Sequence, residues 1–472
     1  MNATITLPVW IFIILLSAFI LVVIRVVIFP LWASFWNVRS RHIVDEINPL
    51  LQLNLSPFTL TRRRVLADRL ASDEIVEEGV KEIAQQRGVP VDKLQRETWR
   101  IAWDIVPGFN PYFYFRIGYR LARSTLRSLY RVRINFADEG SMARVSDQAA
   151  VVFIINHRSN IDYVVANFLT AKRTMLSFGV GEWSRMWPIQ PLMRMAGGYF
   201  VRRDSGDPLY RLLIKRYVQL ATTARVPHAI FLEGQLSPDG RVGEPRLGLL
   251  SYVTERFNPD TSADLVFIPV AINYDRIAED KNMIRYSSHE FRKMGRSYVA
   301  RKAIGFGIHL IQELILRRRV YGYACAAFGG PISFGEWTRQ RDIDWPGLSR
   351  IQRFEQIEFL GSELIGNISN LMPATPVPLL CRIWINDPQL VLSEEAMRCR
   401  FQALHAILEQ SNCHVVLVKD SIDDTFDHAL TLVTSRKMIL RNADGNYKAN
   451  QNLVALLYYY ANSLSQFYED SL

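Results

Sequence analysis

The apolar positions of this chain form short continuous runs, separated by longer stretches with helical periodicity. Such runs occupy 150–155, 229–232 and 265–274, and residues 208–224 have the spacing of an amphipathic helix. Short apolar runs that alternate with helices are typical of parallel strands buried on both faces. The pattern therefore predicts an α/β fold with a mixed, largely parallel sheet flanked by helices. Pro269, inside the third run, favours an edge position or a bulge there.

The regions on either side of this core are predicted to be mainly helical. We place an N-terminal helical region at 37–135, a central α/β domain at 136–340 and a helical C-terminal region at 341–472. Residues 321–333 are expected to supply a late strand of the central domain. Residues 453–464 form an apolar helix that is too short to span a bilayer, so we expect it to pack on the core.

The chain begins with a long uncharged segment. Met1 to Ile24 contain no charged residue, and the apolar run from Leu7 is long enough to span or nearly span a bilayer. No positive residue precedes this run and no small-residue cleavage pattern follows it, which disfavours a cleaved signal peptide. The first positive charges follow the run, at Arg25, Arg39 and Arg41. We therefore expect residues 1–36 to form a membrane anchor and an interfacial segment in the cell (inner) membrane, with the catalytic part on the cytoplasmic face.

The chain has an excess of positive charge, with a formal net charge of +10. No zinc-finger spacing, recognition helix or RNA-binding strand motif accompanies this charge, so anionic membrane lipid is a better expected partner than nucleic acid. A helix is predicted to begin at Asn110 and Pro111, as cap and first helical residue. Four arginines share one face of it, and that face either contacts lipid headgroups or forms ion pairs within the fold: Arg116, Arg120, Arg123 and Arg127.

The cysteines give no reason to expect a metal site. The chain has four, with no Cys-x-x-Cys pair and no obvious disulfide framework: Cys325, Cys381, Cys399 and Cys413. This usage is typical of a protein from a reducing compartment. We therefore predict no structural metal. Separately, we expect no cofactor.

A histidine and a carboxylate lie five positions apart directly after the first apolar run. His157 follows the run at 150–155, and Asp162 comes five residues later. Ligand and catalytic sites of α/β sheets lie at the carboxyl ends of strands. Positions five apart diverge by roughly 140° on one helix, so a contact requires His157 in the turn and Asp162 in the next helix, capped by Ser159 or Asn160. In that arrangement Asp162 orients the imidazole and His157 is a candidate general base.

Three further segments carry candidate chemistry. Residues 197–203 read Gly-Gly-Tyr-Phe-Val-Arg-Arg, and they place Arg202 and Arg203 after a glycine pair that allows close backbone approach. Residues 231–234 read Phe-Leu-Glu-Gly at the end of the second run, and 237–240 read Ser-Pro-Asp-Gly, which favours a type I turn. The third run, with its Pro-Val pair, completes the set.

In this order, the four blocks resemble those of the glycerolipid acyltransferases. That family has a His-x4-Asp block, a Gly-x-x-Phe-Ile-x-Arg block, a Phe-x-Glu-Gly block and a Pro-Val-containing strand. The resemblance covers about residues 136–340 and implies that these residues form the catalytic domain. The arginine pair at 202–203 and Tyr-Asp-Arg at 274–276 are similar to the members that acylate glycerol 3-phosphate. The third block departs from the family pattern, because Leu236 and Pro238 stand where arginines are usual. Phosphate binding would then depend more on Arg202 and Arg203, with Arg241 or Arg246 as further candidates.

The resemblance implies transfer of a long-chain acyl group to the sn-1 hydroxyl of glycerol 3-phosphate, the first step of phospholipid synthesis. The donor would be an acyl thioester, either acyl-coenzyme A or acyl-carrier protein. The sequence contains no Gly-x-Ser-x-Gly nucleophile elbow, which agrees with direct transfer without an acyl-enzyme intermediate. His157 and Asp162 would be catalytic, and five residues would bind substrate: Arg202, Arg203, Glu233, Gly234 and Ser237, with backbone amides near Gly234 as oxyanion donors. Two alternatives stay open, namely an acyltransferase for 1-acylglycerol 3-phosphate or dihydroxyacetone phosphate, and a non-catalytic membrane protein that binds lipid or phosphate.

Overall fold

The computed structural model describes residues 15–19, 22–28, 43–51, 53, 55–136, 140, 145–171, 174–185, 189–202, 205–280 and 321–468. The strands of these ranges build one large sheet and one small one. Those of the large sheet are β1 (Arg131–Phe136), β2 (Ala150–Ile155), β3 (Ser177–Val180), β4 (Gly198–Phe200), β5 (His228–Phe231), β6 (Leu265–Tyr274), β7 (Tyr323–Phe328) and β8 (Ile332–Ser333). Those of the small sheet are β9 (Val391–Leu392), β10 (Ile439–Arg441) and β11 (Tyr447–Ala449).

The large sheet has the order β1-β7-β6-β2-β5-β3-β4, and β8 lies beside β6. The neighbours from β6 through β2, β5 and β3 to β4 are all parallel, as is the pair of β1 and β7. β6 runs antiparallel to β7 and β8. This arrangement confirms the predicted α/β fold with a mixed, largely parallel sheet.

The central strands are apolar because both of their faces are covered. Every residue of β2 and of β6 is buried, which explains why both read as continuous apolar runs. Pro269 nevertheless lies in the interior strand β6, paired with Ile154, and neither an edge nor a bulge accommodates it. It falls between the pairings of β6 with β7, which end at Phe328, and with β8, which involve Ile332. The missing N–H of proline therefore costs no ladder hydrogen bond.

Helices surround the large sheet on both sides. The α-helices are α1 (Pro57–Leu60), α2 (Arg63–Ala71), α3 (Glu74–Arg87), α4 (Val91–Ile105), α5 (Tyr119–Leu129), α6 (Asp162–Thr170), α7 (Ile189–Met195), α8 (Pro208–Thr223), α9 (Leu247–Thr254), α10 (Phe334–Gln340), α11 (Arg350–Asn370), α12 (Pro376–Cys381), α13 (Glu394–Gln410), α14 (Ile422–Ser435) and α15 (Val454–Ala461). Shorter 3₁₀ segments are Asn48–Leu50, Glu182–Arg185, Arg382–Trp384, Gln451–Leu453 and Asn462–Phe467, and π-helical segments are Ile24–Ile28 and Phe113–Gly118. Helices α3 and α4 pack on α8, and α11 packs on β6 and β2.

The predicted region boundaries differ from the structure at two points. Strand β1 begins at Arg131, five residues before the predicted start of the central domain at 136, and it pairs with β7 at the edge of the large sheet. The C-terminal region is helical as expected, but it also contains the small antiparallel sheet of β9, β10 and β11. Its apolar segment at 453–464 packs on the core, as predicted, through α15 and the buried start of the 3₁₀ segment that follows.

The predicted basic helix begins as expected and then takes an unexpected form. The Asn110 side chain accepts a hydrogen bond from the Phe113 amide at 2.9 Å, so it caps the first turn. A π-helical segment then precedes α5. Arg116 forms an ion pair with Glu46, so this arginine has a partner within the fold. Leu121, on the same helix, is 53% exposed. The other three arginines of the face are also exposed: Arg120, Arg123 and Arg127.

The predicted membrane anchor falls largely outside the described residues. Of residues 1–36, the structure describes 15–19 and 22–28. Among the described residues, no helix has both the length and the apolar character needed to cross a membrane. The anchor therefore stays a prediction.

Candidate active site

His157 and Asp162 meet at the carboxyl end of β2. His157 lies in the turn after the strand, and Asp162 is the first residue of α6. The imidazole Nδ1 is 3.0 Å from a carboxylate oxygen of Asp162, and both residues are buried. The predicted contact is thus present, although the cap position is held by Ile161, and the Ser159 hydroxyl accepts from the Ile161 amide instead of capping α6.

The Asp162 carboxylate is held by four hydrogen-bond donors. The oxygen that contacts His157 also accepts from the amides of Arg158 and Ser159, at 2.7 and 2.9 Å. The other oxygen accepts from the Tyr274 hydroxyl at 2.5 Å. With Asp162 as the acceptor, Nδ1 of His157 donates to the carboxylate, and Nε2 is left as the nitrogen that can accept a proton. Sequence reasoning missed the role of Tyr274, which is the last residue of the Pro-Val strand β6.

The backbone of His157 is fixed from the opposite side by the third block. The His157 amide donates to Glu233 at 2.8 Å, and the His157 carbonyl accepts from the Ser237 amide at 2.8 Å. The imidazole packs against the Phe231 ring at 4.3 Å and the Tyr163 ring at 5.4 Å between centroids. The general-base candidate is therefore held in one position by β5, α6 and the loop after β5.

Glu233 holds two loops together. One carboxylate oxygen accepts from the His157 amide, and the other accepts from the Gly243 amide at 2.9 Å. Burial raises the pKa of the Glu233 carboxyl, and the two backbone hydrogen bonds oppose that rise. Both oxygens are thus used inside the protein, which makes Glu233 a positioning residue for His157. A direct substrate contact by Glu233 stays a prediction.

The predicted oxyanion role of backbone amides near Gly234 stays a prediction, although the amide of Gly234 itself is engaged within the turn. This amide donates to the Phe231 carbonyl at 2.9 Å, so it is already occupied. Glycine is required here for a different reason. Its φ is +66°, and a Cβ would lie 2.9 Å from the Arg246 side chain.

Ser237 organises the turn of the third block. Its hydroxyl donates to the Arg241 carbonyl at 2.6 Å and accepts from the Gly240 amide at 3.0 Å. The side chain closes the predicted turn in place of a backbone hydrogen bond. With the residue buried and its hydroxyl used twice, Ser237 supports the loop behind His157 rather than presenting a free group to substrate. Arg241 and Arg246, the further phosphate candidates, are exposed on this loop.

Two residues that sequence reasoning missed complete the turn around the dyad. Arg158 is 1% exposed, and its guanidinium donates to the Asn273 side chain at 2.6 Å and to the Tyr459 carbonyl at 3.5 Å. Glu279 accepts from the Ser159 hydroxyl at 2.7 Å, and burial raises the pKa of its carboxyl. Arg158 was visible in the first block, but its partners lie 115 and 301 residues away.

Asp275 joins the same sheet edge to the C-terminal region. Its carboxylate accepts from the amides of Tyr323 and Val377, at 2.8 and 3.0 Å, and lies 3.2 Å from His428 Nε2. Together with the contact of Arg158 with Tyr459, these bonds make the C-terminal region part of the support of the site.

Arg202 lies at the same sheet edge as His157. Ile155 of β2 is level with Phe231, and Phe178 is level with Ala229, which by parallel register puts Val180 and its partner Phe200 level with Ile155. Arg202 follows Phe200 by two residues, as His157 follows Ile155. Three strand spacings separate them, roughly 14 Å. Arg203, the second predicted arginine, lies outside the described residues.

Arg202 lines a cavity of about 300 Å³ between β4, α8 and α9. Two arginines and two tyrosines line it together with aliphatic residues. Its lining includes Val201, Arg202, Tyr210, Arg211, Leu249 and Tyr252. Among the described residues, no group of three or more His, Cys, Asp or Glu side chains has the arrangement of a metal site.

Comparison with known proteins identifies two regions of the chain. Residues 135–273 match the family model described as Acyltransferase. Residues 310–472 match the family model described as Glycerol-3-phosphate acyltransferase C-terminal region. These matches confirm the resemblance to the glycerolipid acyltransferases, and they extend it to the C-terminal region, where the sequence blocks alone gave little information.

Curated relatives with the name glycerol-3-phosphate acyltransferase cover most of the chain. The protein from Pseudomonas fluorescens (strain SBW25) is 24% identical over 361 residues, which are 74% of this chain and 42% of the relative. The protein from Haemophilus ducreyi is 20% identical over 421 residues, which are 87% of this chain and 50% of the relative. The chain thus spans about half the length of the curated relatives it matches. Among solved structures, the 1-acyl-sn-glycerophosphate acyltransferase from Thermotoga maritima is 16% identical, with a TM-score of 0.30 over 64% of this chain and 93% of that one.

Proposed function

We propose that this chain, which carries an acyltransferase domain and the C-terminal region of glycerol-3-phosphate acyltransferases, acylates the sn-1 hydroxyl of glycerol 3-phosphate. The product would be lysophosphatidate, the first intermediate of phospholipid synthesis. The observation that carries the proposal is the buried pair of His157 and Asp162 at the end of β2, 3.0 Å apart, with Arg202 level with it at the same sheet edge. This acceptor needs a general base for its hydroxyl and a positively charged side chain that binds its phosphate.

In the proposed reaction, Nε2 of His157 removes the proton from the sn-1 hydroxyl as its oxygen attacks the thioester carbonyl. Asp162 stabilises the imidazolium that forms, because its ionised carboxylate already contacts Nδ1. The tetrahedral intermediate then collapses with breakage of the C–S bond, and the imidazolium returns the proton to the departing thiolate. The ester and the free thiol are the products, and His157 ends neutral.

The donor and the membrane setting belong to the same proposal. A long-chain acyl thioester, carried by coenzyme A or by a carrier protein, would supply the acyl group. The uncharged N-terminal segment would keep the enzyme at the inner face of the cell membrane, where its product enters the bilayer. The exposed arginines of α5 and the neighbouring exposed Leu121 would contact anionic headgroups, at roughly 1 kcal/mol for each basic side chain.

A competition between acceptors tests the proposed substrate. Purified, detergent-solubilised protein is given palmitoyl-coenzyme A radiolabelled in its acyl group, with equimolar glycerol 3-phosphate, unlabelled lysophosphatidate and dihydroxyacetone phosphate, and the labelled lipid products are separated. We expect lysophosphatidate to form first and phosphatidate to stay a minor product. Phosphatidate without new lysophosphatidate would assign the chain to the second acylation step, and acyl-dihydroxyacetone phosphate alone would assign it to the ketone acceptor. No product from any acceptor would favour a binding protein.

A further inference from the structure

Three arginines from different parts of the chain converge on one carboxylate near the end of β4. Asp104, in the last turn of α4, is 3.2 Å from Arg185, 3.4 Å from Arg194 and 3.5 Å from Arg202. The carboxylate is one-third exposed, and the arginine side chains are 28%, 12% and 33% exposed respectively. This arginine cluster therefore lies at the surface of the fold but is partly removed from water.

The arginine cluster has more positive charge than its own carboxylate balances. Within the described part of the chain, the ion pairs of all three arginines go to Asp104, so three positive charges face one negative charge, an excess of two. The Nε atoms of Arg185 and Arg194 are buried and find no hydrogen-bond partner among the described residues. Partly buried charges without compensation are costly unless a ligand supplies the missing counter-charge.

The position of the arginine cluster relates it to the catalytic dyad. The guanidinium carbons of Arg185 and Arg194 lie over the ring of Phe200, 5.6 and 4.9 Å from its centroid. Phe200 is the last residue of β4. Arg202 belongs both to the cluster and to the lining of the 300 Å³ cavity. Because Arg202 is level with His157, the cluster lies at the edge of the sheet where the acceptor hydroxyl must be deprotonated.

We propose that Arg185, Arg194 and Arg202 together bind the phosphate of the acceptor, and that Asp104 is the internal counter-ion that holds them in place until the phosphate arrives. A phosphate monoester carries up to two negative charges, which match the excess of the cluster, and guanidinium groups bind phosphate oxygens in a fork geometry. This site accounts for phosphate binding without the two arginines that the third block lacks. It rests on the proposed function, because it assumes a phosphate-bearing acceptor.

Direct binding tests this site without any turnover. The His157→Ala protein in detergent is titrated with glycerol 3-phosphate by calorimetry, and Arg185→Gln and Arg194→Gln are introduced separately into that background. Each should raise Kd roughly tenfold to a hundredfold, because each removes a charge-assisted contact. Arg216→Gln is the matched control: its guanidinium contacts Asp73 at 2.6 and 2.8 Å, outside the cluster, so Kd should not change.

The possible results separate the site from the proposed function. Unchanged Kd in both cluster variants would overturn the site while leaving the proposed function intact. No binding of glycerol 3-phosphate by the parent protein would refute the proposed function, and this site with it. If a glutamine variant fails to fold, Arg194→Lys takes its place: it keeps the charge but loses the fork, and we expect a Kd raised by about tenfold.

Asp104→Asn gives a result of the opposite sign. Removing the competing carboxylate frees the arginines for the ligand, so the Kd for glycerol 3-phosphate should fall several-fold, and inorganic phosphate should also bind more tightly. An arginine cluster with a purely structural role would lose its order without Asp104, and binding would weaken or stay the same. Either of those outcomes would refute the counter-ion role of Asp104.

Discussion

Tyr274→Phe removes a single hydroxyl from the support of the catalytic dyad. That hydroxyl donates to Asp162 at 2.5 Å, and both residues are fully buried. Phenylalanine keeps the ring, which packs against Tyr130 at 5.5 Å between centroids, so the shape of the core is preserved. The variant therefore changes the electrostatics around Asp162 with little change in packing.

The size of the effect follows from the hydrogen bonds of Asp162. A hydrogen bond to a charged group contributes about 1.5–3 kcal/mol. Tyr274 is the donor to one carboxylate oxygen, and the other oxygen keeps the amides of Arg158 and Ser159. Without Tyr274 the Asp162 carboxylate loses one of its donors, so it is held less firmly in the position from which it stabilises the imidazolium of His157. At about 1.4 kcal/mol for each factor of ten, kcat should fall roughly 10- to 100-fold.

The assay is steady-state acyl transfer by the purified variant. The KM for glycerol 3-phosphate should stay within twofold of the wild-type value, because Tyr274 contacts Asp162 and not the proposed phosphate site. Tyr199→Phe is the matched control, since Tyr199 is also buried but its hydroxyl has no partner among the described residues. A Tyr274→Phe protein that is folded and keeps its kcat within twofold of wild type would refute this reasoning.

Two further predictions concern stability. Gly240→Ala should lower the free energy of unfolding by at least about 3 kcal/mol. The reason is that Gly240 has a φ of +91° and that a Cβ there would lie 1.8 Å from the Tyr459 carbonyl oxygen. A variant with the thermal midpoint of the wild type would contradict the close packing of this loop on the C-terminal region. Burial lowers the pKa of His228 to about 4 from its ordinary 6.5, so the folded protein disfavours the proton that the unfolded chain binds, and stability is lost as the pH falls from 6.5 towards 4. In the wild type, the free energy of unfolding measured with urea should be about 3 kcal/mol lower at pH 4 than at pH 7 because of His228, and His228→Gln should remove this difference. An equal decrease at pH 4 in the wild type and the variant would exclude His228 as its source.

The sequence was most informative where one short segment contains the whole feature. The apolar runs predicted β2, β5 and β6 because strands buried on both faces must be apolar throughout. The spacing of His157 and Asp162 showed what local structure a contact requires, a turn followed by the first helical residue, and the resemblance of the four blocks favoured it. The position of Pro269 could not be predicted, because it depends on where the pairing of β6 with β7 ends and its pairing with β8 begins.

Features that depend on distant segments stayed out of reach. Tyr274 and Asp162 are 112 residues apart, and the contact exists only because β6 lies beside β2. The arginine cluster needs Asp104 from a helix about 80 and 90 residues before Arg185 and Arg194. Glu233 was predicted as a substrate residue, and its positioning role, in which its two oxygens accept from backbone amides, could not be predicted. Residue type and order indicated a catalytic region, but the division between catalytic and supporting residues required three-dimensional contacts.

The central claim is that this chain acylates glycerol 3-phosphate with His157 as the base. The most direct test measures transfer from palmitoyl-coenzyme A, and in parallel from palmitoyl-carrier protein, to radiolabelled glycerol 3-phosphate by wild type, His157→Ala and His405→Ala. His405 contacts Glu409 within one C-terminal helix and serves as the control histidine. We predict labelled lysophosphatidate from wild type and His405→Ala, and a rate at least about 10²-fold lower from a folded His157→Ala protein. Equal rates in all three proteins would contradict the assigned base, and no labelled lipid from wild type with either donor would contradict the proposed activity.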